Sequence, residues 1–344
     1  MQASVEWPGA SPAVVRASFA GQVAYTMADG EALVISDPIP PSAFGLQSFP
    51  ANTAFWVRHA RTIPSGGKFV RAEQGASPAI SGEVQAQCDP ATDPQLDTTG
   101  ALITSGSYSA YTENVKPLAI VGRTATPQVC VADVGDSIAY RLNDAIGDGA
   151  NGAGGWFQRA MANVGGSHVP YVRLAIPSER GQTFAGGTRR QSLLPFVTHL
   201  LCNYGTNDLA GARTAAQTLA DLRTIWAQAK AAGVQRVEQL LILPRTSSTD
   251  SWASVASQTP VTSFAAGGAR DALNASILAN VGANGLDAVL DLNGIVADAG
   301  QPDRWTANGA ASYATADGVH PQPVMHASIA AAVQARAAGW SAGP

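Results

Sequence analysis

The alternation of apolar and polar positions divides the chain into two parts of different character. Up to about residue 125, short apolar or alternating runs at 22–27, 31–36, 53–59 and 68–72 are separated by turn-forming stretches such as 29–30 and 65–67. No run keeps the 3.6-residue period of a helix, and short strands at this spacing are typical of antiparallel sandwiches. We therefore expect residues 1–125 to form a jelly-roll-like β-sandwich accessory domain.

From residue 126 onward, strand-like runs alternate with helix-like segments. Apolar and β-branched residues cluster at 129–134, 171–176, 198–204, 239–243 and 288–292, and helical segments are expected at 214–232, about 270–281 and about 324–338. Alternating strands and helices form parallel βαβ units with right-handed crossovers. Residues 126–344 are therefore expected to form a three-layer α/β/α domain with a parallel, flavodoxin-like sheet. Functional residues of such sheets collect in loops at the carboxyl ends of the strands.

Composition and charge exclude several classes of protein. Hydrophobic residues make up 46% of the 344 positions and charged residues 13%, which favours a large buried core over disorder. The net charge of −4 and the lack of a Lys/Arg run argue against a nucleic-acid partner. No apolar stretch reaches the roughly 18–20 residues that span a bilayer. No signal peptide is visible, so we expect a secreted or periplasmic protein if one was removed and a cytoplasmic protein otherwise.

The three cysteines, Cys88, Cys130 and Cys202, are too few and too scattered for a disulfide framework or a zinc site. Cys130 and Cys202 fall in the first and third predicted strands of the second part, which are neighbours in a flavodoxin-like sheet. We expect two buried thiols there rather than a cross-strand disulfide, since free cysteine packs as a small apolar residue.

Three strand ends carry side chains that could do chemistry. The first strand runs into Gly135-Asp136-Ser137 and a helix start, where glycine permits a sharp turn and the helix N-terminus favours negative charge. A serine there is exposed beside a ready-made oxyanion site. Taken alone, a serine at a helix start is more often an N-cap than a nucleophile.

The third strand ends in Gly205-Thr206-Asn207-Asp208. The Asn207 amide can donate a hydrogen bond to a developing oxyanion, as a carboxylate cannot. The same four residues are equally compatible with an Asx-type turn that caps the next helix.

A histidine with an acidic companion precedes the last helix, in the stretch Asp317-Gly318-Val319-His320. Histidine is the natural general base near neutral pH, since it ordinarily titrates near pH 6.5. A carboxylate three residues earlier can accept from its other ring nitrogen and fix the tautomer. Of the five histidines, only His320 has such a companion.

The ordered set of Gly135-Asp136-Ser137, Gly205-Thr206-Asn207-Asp208 and Asp317-Gly318-Val319-His320 resembles three of the four sequence blocks of the SGNH (GDSL-like) hydrolase superfamily. The resemblance covers about residues 128–344 and implies ester hydrolysis without a metal or organic cofactor. It implies that Ser137 is the nucleophile, His320 the base and Asp317 its orienting acid. The oxyanion hole would comprise Ser137, a glycine and Asn207.

The remaining block supplies that glycine. The family usually has an Asn-x-Gly-like approach, whereas Pro177-Ser178-Glu179-Arg180 precedes Gly181 here. We choose Gly181 because Gly-x-Thr fits the end of the block, with Gly186 and Gly187 as alternatives.

The substrate is less determined than the reaction. A β-sandwich ahead of such a domain is similar to the layout of some carbohydrate esterases, which favours a short-acyl, acetyl-type ester of a small molecule or polysaccharide. A lipase or arylesterase of broader specificity is the alternative within the class. The alternative of another class is a carbohydrate-binding protein with an inactive hydrolase domain. The oligomeric state is left open.

Overall fold

The computed structural model describes residues 1–28, 31, 33–50, 53–63, 65–66, 84, 86–89, 91–110, 119–144 and 154–343. The turn expected at 29–30 and the strand expected at 68–72 lie outside the described residues. The chain divides into two compact units, Met1–Ile120 and Val121–Pro344. Among the described residues, no helix has the length and apolar character that crossing a membrane requires.

The described part of the first unit contains two small antiparallel sheets. One has the order β2-β1-β3 and the other pairs β4 with β5. The strands are β1 (Gln2–Glu6), β2 (Val14–Arg16), β3 (Trp56–Ala60), β4 (Ala86–Cys88) and β5 (Tyr108–Ala110). Antiparallel strands are therefore present as expected, and the jelly-roll-like sandwich stays a prediction.

Two of the predicted strands in this unit are wrong. The run 22–27 contributes only one isolated bridge, between Gln22 and Phe19, and the described residues of 31–36 form no strand. The physical reason lies in Asp37, whose carboxylate accepts hydrogen bonds from the Ser18 hydroxyl and the backbone N–H groups of Ala20 and Gly21. These bonds, with that from the Asp37 N–H to the Ser18 carbonyl, join residue 37 to residues 18–21 and leave the described residues between them as a loop, and hydrophobicity alone does not reveal such contacts.

The second unit is built on a five-stranded parallel sheet in the order β12-β9-β8-β6-β7, as the alternating pattern predicts. Its strands are β6 (Val131–Val134), β7 (Tyr171–Arg173), β8 (His199–Cys202), β9 (Arg236–Leu240) and β12 (Ala288–Leu290). A hairpin of β10 (Thr246–Ser248) and β11 (Gln258–Pro260) stands apart from this sheet.

Helices complete the three-layer α/β/α arrangement. They are α1 (Ser137–Tyr140), α2 (Gly155–Met161), α3 (Gly181–Ala185), α4 (Thr206–Ala210), α5 (Ala215–Ala231), α6 (Ala269–Leu278), α7 (Asn293–Val296) and α8 (Pro323–Ala337). Thr214 and Gln217 form a capping box at the start of α5. The periodic apolar residues of α5 are buried, namely Leu219, Leu222, Ile225, Trp226 and Ala229. Full burial of a leucine side chain stabilises the fold by roughly 1.5–3 kcal/mol.

The strand register separates the two cysteines of this sheet. Cys202 on β8 lies opposite Val134, whereas the backbone of Cys130 is hydrogen bonded to Thr198, four positions earlier than Cys202. They therefore lie at opposite ends of the strand pair, and both are free thiols. Cys202 is buried and Cys130 half-buried, and burial raises the pKa of each thiol. Cys88 is exposed.

Candidate active site

The turn that carries Ser137 has no room for a side chain at position 135. A Cβ on Gly135 would lie 2.8 Å from the Ala139 Cβ and 2.9 Å from the Asn203 Cβ, so this position requires glycine. Asp136 caps the helix that follows, since its carboxylate accepts from the Ile138 N–H at 2.9 Å. Ser137 is the first residue of α1, so its own N–H has no acceptor within that helix.

Ser137 and the stretch before the last helix meet at this edge of the sheet. The Ser137 Oγ lies 2.7 Å from Nε2 of His320, and Nδ1 of His320 lies 2.6 Å from Oδ2 of Asp317. If Nδ1–H donates to the carboxylate, Nε2 is left unprotonated and can accept the hydroxyl proton. This arrangement would allow the imidazole to accept the hydroxyl proton.

The Asp317 carboxylate is held by more than the imidazole. Its Oδ1 accepts from the backbone N–H groups of Val319 and His320, each at 2.9 Å. Partial burial alone would raise the pKa of Asp317, but the hydrogen bonds from His320 and from these two amides lower it well below its usual value. The carboxylate therefore stays ionised beside His320.

The tight loop between Asp317 and His320 requires glycine at position 318. Gly318 has φ = 74°, and a Cβ there would lie 1.8 Å from the Thr246 carbonyl oxygen and 2.9 Å from Cζ2 of Trp252. The Thr246 N–H and the Trp305 indole N–H both donate to the Gly318 carbonyl at 3.0 Å. The start of β10 and the Trp305 side chain thus hold the His320 loop in place.

Two buried carboxyl groups, those of Asp136 and Asp208, belong to the turns that carry Ser137 and Asn207. Burial raises the pKa of Asp136 to about 7 and also raises that of Asp208, although backbone N–H groups oppose both shifts. The charge on His320 lowers the pKa of Asp136, and the charge on Asp208 raises it, so these groups are close enough to interact.

The predicted oxyanion residues meet at the carboxyl ends of β7 and β8, with their donors already engaged. The Gly181 N–H donates to Oδ2 of Asp208 at 3.0 Å, and Nδ2 of Asn207 donates to the Glu179 carbonyl at 3.2 Å. An amide nitrogen carries two hydrogens, so Asn207 keeps a second donor, whereas Gly181 has only one N–H. The roles of both residues stay predictions.

The backbone N–H groups of the alternative glycines, Gly186 and Gly187, are also engaged in hydrogen bonds. The Gly186 N–H donates to the Gln182 carbonyl at 3.1 Å, and the Gly187 N–H donates to the Phe184 carbonyl at 3.0 Å. Gly181 itself packs against the residues just after β8, where a Cβ would lie 3.2 Å from that of Tyr204. Its position beside Tyr204 and Asp208 keeps Gly181 the best candidate of the three.

The inserted stretch before Gly181 is anchored by a network that the sequence did not reveal. The Glu179 carboxylate accepts from the Tyr204 hydroxyl and pairs with Arg190, and both charged side chains are largely buried. Arg190 also lies over the Phe184 ring, 5.0 Å from its centroid. The network thereby fixes the backbone carbonyl of Glu179, which accepts a hydrogen bond from the Asn207 amide.

The other four histidines do not belong to the predicted triad. His199 and His326 are buried, and desolvation lowers the pKa of each, to about 4 for His199. His326 bridges the Trp156 N–H and the Leu142 carbonyl, so it packs the last helix against the segment after α1. His168 is exposed in a loop, and His59 lies on β3 of the first unit. Within the described ranges, no group of three or more His, Cys, Asp or Glu side chains could hold a metal ion.

Comparison with known proteins gives a family match over residues 134–327, more than half of the chain. The matched family is the GDSL-like lipase/acylhydrolase family, and the matched range contains the turn, the two loops and the histidine described above. The search of curated protein sequences found no match.

Comparison with solved structures gives several matches. They include the psychrotrophic esterase EstA from Pseudoalteromonas sp. (16% identity, 59% of this chain, 93% of that chain, TM-score 0.40). A GDSL-like lipase from Bacteroides thetaiotaomicron is 18% identical over 61% of this chain and 87% of its own, with a TM-score of 0.39. A carbohydrate esterase family 3 protein from Talaromyces cellulolyticus is 16% identical over 61% of this chain and 96% of its own, with a TM-score of 0.37.

The family match covers the residues that carry the five-stranded parallel sheet from Val134 onward and the loops at its carboxyl edge. The chain belongs to the GDSL-like lipase/acylhydrolase family and is a carboxylic ester hydrolase.

Proposed function

We propose that this protein hydrolyses esters through a triad of Ser137, His320 and Asp317. The observation that carries the proposal is the continuous contact from the serine hydroxyl to the imidazole and on to the carboxylate, at 2.7 Å and 2.6 Å. Both lengths lie within the reach of a nucleophile and base that transfer a proton.

In the proposed reaction, Nε2 of His320 takes the hydroxyl proton as the Ser137 Oγ attacks the ester carbonyl. The tetrahedral oxyanion is stabilised by the Ser137 N–H, the second N–H of the Asn207 amide and the Gly181 N–H. His320 then returns the proton to the departing alcohol, which leaves an acyl-enzyme on Ser137. Water, activated by the same base, attacks that intermediate and releases the acid.

Gly181 can take part in this oxyanion hole only when its N–H leaves Asp208. Burial raises the pKa of Asp208, so its carboxylate is a poorly stabilised anion that competes with the substrate for this donor. Ser137 and Asn207 therefore carry the larger share of the proposed stabilisation, since each has an N–H that no acceptor among the described residues engages.

We further propose a short acyl group, of acetyl type, on a carbohydrate alcohol. The predicted site offers polar groups that the fold holds in place, notably the amide of Asn207 and the exposed carboxylate of Asp317. Such surroundings suit a small acyl group and a hydroxyl-rich alcohol better than a long alkyl chain. A lipase or arylesterase of broader specificity is the alternative. An inactive carbohydrate-binding protein is disfavoured because the connected nucleophile, base and acid are all retained.

We propose that residues 1–125 form an accessory domain and residues 126–344 the catalytic domain. Trp7 of the first unit is buried and stacks on the half-exposed ring of Phe55, with centroids 5.2 Å apart. This contact favours a packing role for Trp7 over a sugar-binding platform.

A substrate screen tests the proposal. Hydrolysis is measured on p-nitrophenyl esters of increasing chain length and on acetylated sugars, with Ser137→Ala as the control. The proposal expects the highest kcat/KM on acetyl esters and acetylated sugars and a loss of about 10⁴–10⁶ in kcat for Ser137→Ala. A kcat/KM that rises steadily with chain length overturns the acetyl assignment and favours the lipase.

A further inference from the structure

Asn143 contacts the proposed catalytic acid. Its Nδ2 donates to Oδ2 of Asp317 at 3.0 Å, and this is the same oxygen that accepts from Nδ1 of His320 at 2.6 Å. None of the three sequence blocks contains Asn143, which lies in the segment after the short helix that carries Ser137.

The segment 137–143 therefore contacts the His320 loop at both of its ends. Ser137, at its start, meets His320, and Asn143, at its end, meets Asp317. Through these two contacts, segment 137–143 and the His320 loop hold each other in place.

The backbone around Asn143 is bent to make this contact. Arg141 and Asn143 both have left-handed backbones, with φ of 103° and 65°. The Leu142 N–H donates to the Ser137 carbonyl at 2.9 Å, which folds the segment back toward the serine. Asparagine is one of the few residues that adopts this conformation at small cost.

The next residue anchors the bend to helix α2. The Asp144 carboxylate makes two hydrogen bonds of 2.8 Å with Arg159 and accepts from the Gly155 N–H at 2.6 Å. The Asp144 side chain is fully buried, so a well-ordered ion pair fixes the backbone just beyond Asn143. The position of the amide is thus set by the fold.

A hydrogen-bond donor in a fixed position favours one orientation of the Asp317 carboxylate. The Asp317 side chain is 41% exposed, so water competes for its oxygens, and the two backbone N–H groups that hold it bind Oδ1 rather than Oδ2. The Asn143 amide is neutral and directional, so it orients Oδ2 toward His320 without adding a charge beside the imidazole.

We propose that Asn143 is a positioning residue for the ester hydrolysis, which acts by holding the Asp317 carboxylate in the orientation that His320 requires. This inference rests on the proposed triad. Asn143 does not touch the reacting atoms. It acts only through Asp317.

The test compares Asn143→Gly and Asn143→Asp with wild type and with Ser137→Ala, on p-nitrophenyl acetate. Glycine keeps the left-handed backbone and removes only the amide, so the variant is expected to fold with an unchanged Tm. Asn284→Gly is the matched control, because Asn284 also has a positive φ, of 54°, and donates to another side chain, that of Asn280.

For Asn143→Gly we expect kcat to fall about 10-fold or more with KM unchanged, the scale of one lost hydrogen bond to a charged group. Asn143→Asp places a second negative charge at Asp317. This charge favours the imidazolium form of His320, so the acid limb of the kcat/KM profile moves to higher pH. The other titratable groups that interact with His320, namely Asp136 and His326, are unchanged in both variants.

Failure of this inference is distinguishable from failure of the triad. If Ser137→Ala is inactive while Asn143→Gly keeps kcat within twofold of wild type, the positioning role is wrong and the triad stands. If Asn143→Asp has the wild-type acid limb, the positioning role is also overturned. If Ser137→Ala retains activity, the triad fails and the positioning role fails with it.

Discussion

The Oγ of Ser137 lies 2.7 Å from Nε2 of His320, although 183 positions separate the two residues in the chain. The parallel sheet brings them together because successive strands run in the same direction, so the loops that follow them collect at one edge. Ser137 follows β6 directly, while His320 stands on a loop fastened to the Thr246 backbone after β9.

Replacing the acid of the proposed triad tests how His320 is oriented. Asp317→Asn can donate to Nδ1 instead of accepting from it, so the ring takes the tautomer that carries its proton on Nε2 and cannot accept from Ser137. We expect kcat on p-nitrophenyl acetate to fall about 10³–10⁴-fold, as in other serine hydrolases.

The matched control for this change is Asp298→Asn. Asp298 accepts backbone N–H groups in an exposed turn, as Asp317 does in its loop, but it does not contact His320. Its kcat should equal that of wild type. A tenfold or smaller loss for Asp317→Asn would contradict the assigned role of the carboxylate.

The anchor before Gly181 predicts that Tyr204 and Asn207 are coupled through Glu179. Tyr204→Phe removes the hydroxyl that donates to Glu179, whose carbonyl holds the Asn207 amide. We expect kcat to fall severalfold in the wild-type background and to change little in an Asn207→Ala background, because the effect passes through that amide.

Double-mutant kinetics on p-nitrophenyl acetate measure this coupling. Tyr108→Phe is the control, since Tyr108 also donates its hydroxyl to a protein acceptor but lies in the first unit. Equal losses from Tyr204→Phe in both backgrounds would show that the network does not act through Asn207.

A buried carboxyl in the central strand predicts a pH-dependent cost to stability. Asp133 on β6 is fully buried, and neither side-chain oxygen has a hydrogen-bond partner within the described chain. Burial raises the pKa of Asp133 to about 8, an effect that Arg173 opposes and Asp136 reinforces. The unfolded chain ionises near pH 4 and the folded chain only near pH 8, so Asp133 lowers the free energy of unfolding as pH rises between these values.

Asp133→Val should therefore stabilise the protein, and by more at pH 8 than at pH 4. The gain expected at pH 8 is about 1–3 kcal/mol, the cost of an unsatisfied buried polar group. Urea unfolding at both pH values measures it, and Asp133→Asn is the control that keeps the shape but cannot ionise. A Val variant less stable than wild type at pH 8 would refute this reading.

The sequence predicted what is encoded locally in the second unit. Short β-branched runs gave the strands of the parallel sheet, and spacings of three and four residues gave helix α5. The Asp317 and His320 pairing followed from their separation of three residues. The failed strand at 22–27 shows the limit of local encoding, because the Asp37 carboxylate accepts from the backbone N–H groups of Ala20 and Gly21, 17 and 16 positions earlier, just before that run.

Contacts between residues that only the folded chain brings together could not be predicted from the sequence. Glu179 pairs with Arg190 and Tyr204, which are 11 and 25 positions away, and no periodicity links them. The Gly181 N–H donates a hydrogen bond to Asp208 because β6 pairs with both β7 and β8 and so brings the residues that follow those two strands together. Such contacts require the register of the strands, which hydrophobicity does not specify.

Covalent labelling with a fluorophosphonate tests the central claim most directly, because the reagent reacts with an activated serine and needs no knowledge of the substrate. Intact-mass and peptide measurements on wild type, Ser137→Ala and His320→Gln give the stoichiometry and the site. The account predicts one adduct per chain on Ser137, none in Ser137→Ala and a strongly slowed reaction in His320→Gln. Labelling of Ser137→Ala at the wild-type rate, or an adduct on another serine, would contradict it.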